Sequence, residues 1–143
     1  MSDAANDPTD LGMTFLLPAG WTPPRGYANG VIARGRIVAL AGQIGWDPAS
    51  CRIETDDFIE QAGLALRNIA TLLAEAGAAP RHLVRLTWFI TDRAAYLARR
   101  SELGKVYRAH LGAHFPAMSV IIVSALVEER ALVEIEATAV LPP

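Results

Sequence analysis

The run "SVIIVSAL", residues 119–126, constrains the fold more than any other part of this chain. It is apolar at both alternations, so as a strand it needs cover on both of its faces. The rest of the sequence supplies only two long amphipathic helices. The first opens at Thr55-Asp56-Asp57, an N-cap signal with an acidic first turn. Phe58, Ala62, Ala65, Leu66, Ile69, Leu72, Leu73 and Ala76 then recur at three and four, up to a stop at Gly77. The second is capped by Asp92, carries a stripe of Tyr96, Leu103, Val106, Tyr107 and Leu111, and stops at Gly112.

Between and around these helices the pattern predicts strands. Residues 31–33 and 36–44 read as a strand pair turned at Arg34-Gly35, followed by strands over 83–91, 119–126 and 132–141. In the last of these, Val133, Ile135, Ala137 and Ala139 alternate with Glu134, Glu136, Thr138 and Val140. The order is β-β-α-β-α-β-β, an α+β chain. Right-handed crossovers place both helices on one face of a single sheet and leave the other face bare. A bare face beside a strand that needs double cover predicts self-association.

A chain of 143 residues suits one domain with one core. Residues 1–20 read as a flexible N-terminal tail and lead-in, with Trp21 pinning the Pro/Gly-rich stretch over 18–26, and 21–143 as the domain. Thirteen basic and fifteen acidic residues give a net charge of −2, and aromatic and basic residues are not interleaved. That argues against nucleic acid as a partner and against an RNA-acting protein. Cys51 is the only cysteine, which leaves no intrachain disulfide and fits a reducing compartment. The early apolar run "MTFLL" is short and broken by Pro18, and no window approaches the ~20 apolar residues of a membrane span. A cytoplasmic setting with no membrane partner is the expectation.

Familiar reactive constellations are absent. The sequence has no Gly-x-Ser-x-Gly elbow, no phosphate-binding P-loop and no Gly-x-Gly-x-x-Gly; Gly42 and Gly45 end a strand without opening a helix. His110 and His114 flank Gly112, which breaks the helical spacing a metal site would use, and His82 reads as a strand-edge residue. No metal and no cofactor are expected. Glu134 and Glu136 are the only paired carboxylates on a strand, and both point away from Val133 and Ile135. Open to water they are ordinary solvated charges. On a self-associating face, Glu134 would be partly desolvated and able to serve as a general base.

The segments "YANGVIARGRIVALAGQIGWDP", "FPAMSVIIVSALV" and "VEIEATAV", in this order around two helices, resemble the RidA/YjgF family from about Tyr27 to Val140. The resemblance implies a chorismate-mutase-like fold, one mixed β-sheet with two long helices on one face. It also implies a homotrimer with clefts between subunits and a cofactor-independent hydrolysis of reactive enamines and imines. Carried over by position, Glu134 resembles the water-activating glutamate and Tyr27 the aromatic lid, with Gly42 and Val120 lining the pocket. Where the family's deaminases have an arginine after Phe-Pro-Ala, this chain has Met118. An asparagine of the second helix falls on Gly104 when counted from Tyr107, or on Arg100 when counted from Asp92. Met118 cannot make the bidentate contact to a carboxylate, worth about 2–5 kcal/mol in a desolvated site. The expected substrate is therefore an enamine, imine or related metabolite other than the usual 2-imino acid, with Arg100 a candidate replacement anchor. A trimer that binds a small metabolite without turnover is the alternative.

Overall fold

The computed structural model describes residues 12–143; of the tail and lead-in assigned to residues 1–20, the first eleven lie outside them, and the remainder includes a short strand. The elements run β1 (Thr14–Phe15), β2 (Val31–Ile32), β3 (Arg36–Ile44), α1 (Phe58–Glu75), β4 (Leu83–Ile90), α2 (Arg93–Ala98), α3 (Arg100–Leu111), β5 (Ala117–Ile122) and β6 (Val133–Leu141). β3, β6, β4 and β5 form one four-stranded mixed sheet in that order. β6 lies antiparallel between β3 and β4, while β4 and β5 are parallel and joined through α2 and α3. The fold is the expected α+β arrangement of a mixed sheet with its main helices on one face.

The alternation of β6 decides which face the helices take. Val133 and Ile135 are fully buried, while Glu134 is half-buried and Glu136 exposed. Leu66, Ile69 and Leu73 of α1 close over this apolar row and over Leu86 and Ile90 of β4. Each such side chain contributes about 1.5–3 kcal/mol on burial. Asp57 caps α1 through Glu60 N–H, and Asp92 caps α2 through Ala95 N–H, as their positions predict. At the other end of β3, Gly45 lets α1 approach so closely that a Cβ there would overlap the Gln61 backbone.

Four expectations need correction. Residues 31–33 do not form a hairpin with β3; β2 pairs antiparallel with β1 as a separate ribbon. The reason lies in the path of the chain. Ala28 bridges Ala117 at the β5 edge, and Arg36 opens β3 opposite Leu141 at the far side of the sheet. The intervening residues must cross the strand ends, past β4. The second helix is broken at Arg99, whose backbone leaves the helical region (φ −121, ψ 26). β5 ends at Ile122 rather than at 126: Val123 N–H still reaches Ile90 O, but β4 stops there and offers no further partner. Finally, Trp21 is 60% exposed within the chain rather than buried as an anchor of the lead-in.

The face of the sheet away from the helices stays bare in a single chain. Ile37 on β3 is 74% exposed and Ile121 on β5 is 43% exposed. Val120 and Ile122, on the helix side of β5, are also exposed. The strand that needs double cover is an edge strand with little cover on either face.

Candidate functional site

α3 packs on α1 but stands off the β4–β5 edge, and the space between is a cavity of about 660 Å³. Its floor is strand: Trp88 of β4 with Met118 and Val120 of β5. The register that pairs Leu86 with Met118 and Trp88 with Val120 puts all of these on the helix side. Its wall is one face of α3, with Arg100, Gly104 and Arg108 at intervals of four and Leu103 and Tyr107 between them. Its rim is Arg25 to Tyr27, held there because Ala28 N–H donates to Pro116 O at 2.9 Å and Ala28 bridges Ala117.

Aromatic rings layer the interior. Tyr107 stacks on Trp88 (centroids 6.5 Å apart, planes at 29°) and on Phe115 (5.2 Å, 14°). The Tyr107 hydroxyl donates to His114 O at 2.6 Å, and burial pushes its phenol well above the usual range, so it stays protonated. His114 in turn donates from Nε2 to Leu83 O at 2.7 Å. These bonds hold the chain before β5 against β4 and so fix where Met118 emerges. The indole Nε1 of Trp88 is buried without a hydrogen-bond partner among the described residues.

The electrostatics of the cavity are one-sided. Among the described residues Arg25, Arg100 and Arg108 line it and no acidic residue does. The guanidinium of Arg108 lies back across Gly104, its Nη2 3.7 Å from where a Cβ would stand. Arg99, next along the chain, is differently engaged. It donates to Asp57, the cap of α1, and to both carboxylate oxygens of Glu102. That guanidinium holds both acids below the usual carboxylate range.

The structure divides the residues singled out from sequence into two groups. Tyr27, Arg100, Gly104, Met118 and Val120 meet around the cavity. Both residues matched to the asparagine position line it, because they sit one turn apart on one helix face. Gly42 and Glu134 lie together elsewhere, on the bare side of the sheet, where a Cβ at Gly42 would overlap the Glu134 carboxylate. Within one chain Glu134 does not line the cavity.

Sequence reasoning missed Arg25, Trp88 and Arg108. Arg108 had a usable signal, since it follows Gly104 by the same four residues that separate Gly104 from Arg100. Trp88 and Arg25 had none, because only the fold brings β4 and the lead-in to α3. His82 also departs from expectation. It is buried, not at an edge, with Nδ1 accepting from Ala79 N–H at 2.9 Å, and burial lowers its pKa. No group of three or more His, Cys, Asp or Glu suited to a metal ion occurs among the described residues.

Known proteins share this architecture. A family model described as endoribonuclease L-PSP matches residues 21–141. Protein DfrA of Myxococcus xanthus is 34% identical over 115 residues, covering 80% of this chain and 84% of its own. The 2-iminobutanoate/2-iminopropanoate deaminase of Capra hircus is 33% identical over 130 residues, covering 91% and 88%. Among solved structures, a protein of unknown function from Yersinia pestis, of the conserved Rid family and called YyfB, superposes with a TM-score of 0.80 at 30% identity, covering 90% of this chain and 98% of that one. A match across nearly all of the chain, in sequence and in fold, establishes that it belongs to the RidA/YjgF family, the family that the endoribonuclease L-PSP model describes.

Proposed function

We propose that this chain is a RidA-like hydrolase that deaminates a reactive enamine, imine or related metabolite, without a cofactor, at clefts between the subunits of a cytoplasmic homotrimer. The observation that carries this is the division of the site. The cavity with Tyr27, Gly104, Met118 and Val120 lies on one side of the sheet, and Gly42 with Glu134 lies on the other. A second copy docked by its bare, isoleucine-bearing face would bring a glutamate to the mouth of the first copy's cavity and cover its exposed β5.

In that cleft the Glu134 carboxylate accepts a proton from water as the water oxygen attacks the imine carbon. The proton passes on to the nitrogen of the resulting carbinolamine. The carbinolamine hydroxyl then passes its own proton to the nitrogen by way of Glu134, the C=O bond forms as the C–N bond breaks, and ammonia leaves the carbonyl product. Tyr27, 44% exposed at the rim, closes over the substrate. Met118 gives the floor a soft apolar wall in place of a cation. The name of the Capra hircus relative supports imine chemistry. RNA cleavage, named by the family model, fits less well: among the described residues the cavity lining holds neither a histidine nor an acid for phosphodiester chemistry.

The test is release of ammonia and carbonyl product from imines generated in situ, 2-iminobutanoate among them, with and without purified protein. Turnover of a bulkier imine with little effect on 2-iminobutanoate is the expected result. The alternative is a binding protein without turnover. Ligands that raise the unfolding temperature while no imine decays faster would establish that alternative.

A further inference from the structure

The cavity carries a more specific message about what enters it. Arg100, Gly104 and Arg108 occupy successive turns of one α3 face, and all three line the cavity. Gly104 is the gap in that row, with the Arg108 guanidinium lying across it. Among the described residues Arg25, Arg100 and Arg108 have no ion-pair partner, as is true of most arginines of this chain; what sets these three apart is that they line one cavity. An unneutralised cluster of planar cations around a concave space suits an anion. Beside the arginines on α3 and along the strand floor lie the Trp88–Tyr107–Phe115 layer and Met118, which suit a flat apolar body. The volume of about 660 Å³ falls within the 300–1,000 Å³ typical of sites for drug-sized ligands and far exceeds what a four-carbon acid fills.

We infer that this cavity binds an aryl-bearing organic acid, its ring against the aromatic layer and Met118, its carboxylate between the guanidinium groups of Arg100 and Arg108. The anion is thus gripped from the helix rather than from β5, at the end of the ligand away from Met118. The inference rests on the proposed function in taking this cavity as the substrate-binding part of the site. It needs no turnover.

The test is calorimetric titration of the full chain with three stable probes: phenylpyruvate, 2-oxobutanoate and the neutral aromatic ketone benzylacetone. Phenylpyruvate is expected to bind at least ten-fold more tightly than either of the others, with an affinity that falls as salt rises. The double variant R100Q/R108Q, at two exposed positions, is expected to keep the wild-type unfolding temperature. It should lose at least ten-fold in phenylpyruvate affinity and leave benzylacetone unchanged. Equal or tighter binding of 2-oxobutanoate by the wild type overturns the inference, as does full phenylpyruvate affinity in the double variant. The comparison of probes on the wild type stands whether or not the variant folds. If the expected order of affinities holds while no imine is hydrolysed, the inference survives and the hydrolase reading falls. If 2-iminobutanoate is turned over rapidly and phenylpyruvate does not bind, the reverse holds.

Discussion

The Glu134 carboxylate occupies the space that a side chain at Gly42 would need. β3 is irregular between Leu40 and Gln43, and at that irregularity a backbone without a side chain meets the only half-buried acid on β6. If Glu134 activates water, its position depends on this glycine. Gly42→Ala is expected to displace the carboxylate and lower kcat at least ten-fold. Glu134→Gln, which keeps the shape and removes the base, should lower kcat by about 10²–10⁴. Both are read from steady-state rates on whichever imine the wild type accepts. Unfolding in urea should put the Gln variant within about 1 kcal/mol of wild type, since the position is not in the core. A Gln variant with wild-type kcat would remove Glu134 from the mechanism.

The alternation that placed Glu134 opposite Val133 and Ile135 was plain in the sequence, as were the first helix, the apolar stripe of the second and the caps at Asp57 and Asp92, though not the break at Arg99. These depend on neighbours within a few residues. What escaped depends on the path of the chain between distant elements. The 31–33 segment has a strand pattern and a Gly turn beside β3, yet Ala28 is tied to β5 and draws the segment across the strand ends. The same tie brings Arg25 to a cavity that no local pattern predicts. Gly42 and Glu134 matched the family position by position, but nothing in the spacing showed that they face away from Met118. That separation follows from sheet register.

Met118 stands half-buried beside Leu86, in the floor of the cavity. A guanidinium introduced there would meet no acid in the cavity lining and would be free to hold a small carboxylate. Met118→Arg is therefore expected to raise kcat/KM for 2-iminobutanoate by about 30-fold or more, the equivalent of at least 2 kcal/mol. The same change should lower stability by about 1–3 kcal/mol, because Met118 also packs on the core. Rates on 2-iminobutanoate beside a urea titration separate the two effects. No gain in kcat/KM from a folded variant would show that the arginine alone does not confer the small-acid activity.

Ile37 is 74% exposed near the start of the edge strand β3, on the sheet face that also carries Ala39 and Ala41. In the proposed homotrimer a second copy would cover this row. Ile37→Asp is expected to convert the assembly to monomers at micromolar concentration, seen as a threefold fall in mass by light scattering. Circular dichroism should remain that of the folded chain, because Ile37 contributes nothing to the core of its own subunit. A variant that keeps the wild-type mass would show that subunits meet through some other surface.

Stability toward acid should fall in two steps with separate causes. His82 is buried and its pKa lies below 6.5, chiefly because burial disfavours the charged ring. Below pH 6.5 the unfolded chain therefore takes up a proton that the folded chain resists, so unfolding becomes easier as pH falls. Asp57 and Glu102 lie below their ordinary values of 3.8 and 4.5, both chiefly through the Arg99 hydrogen bonds. Their contribution is complete above about pH 4.5 and is lost as pH falls through the folded values. The acids and Arg99 are partly exposed, so salt should weaken this second step. Urea unfolding from pH 3 to 8 is expected to show His82→Gln flattening only the first step and Arg99→Gln only the second. If Arg99→Gln keeps the full slope below pH 4.5, the bridge from α3 to the cap of α1 does not stabilise the fold.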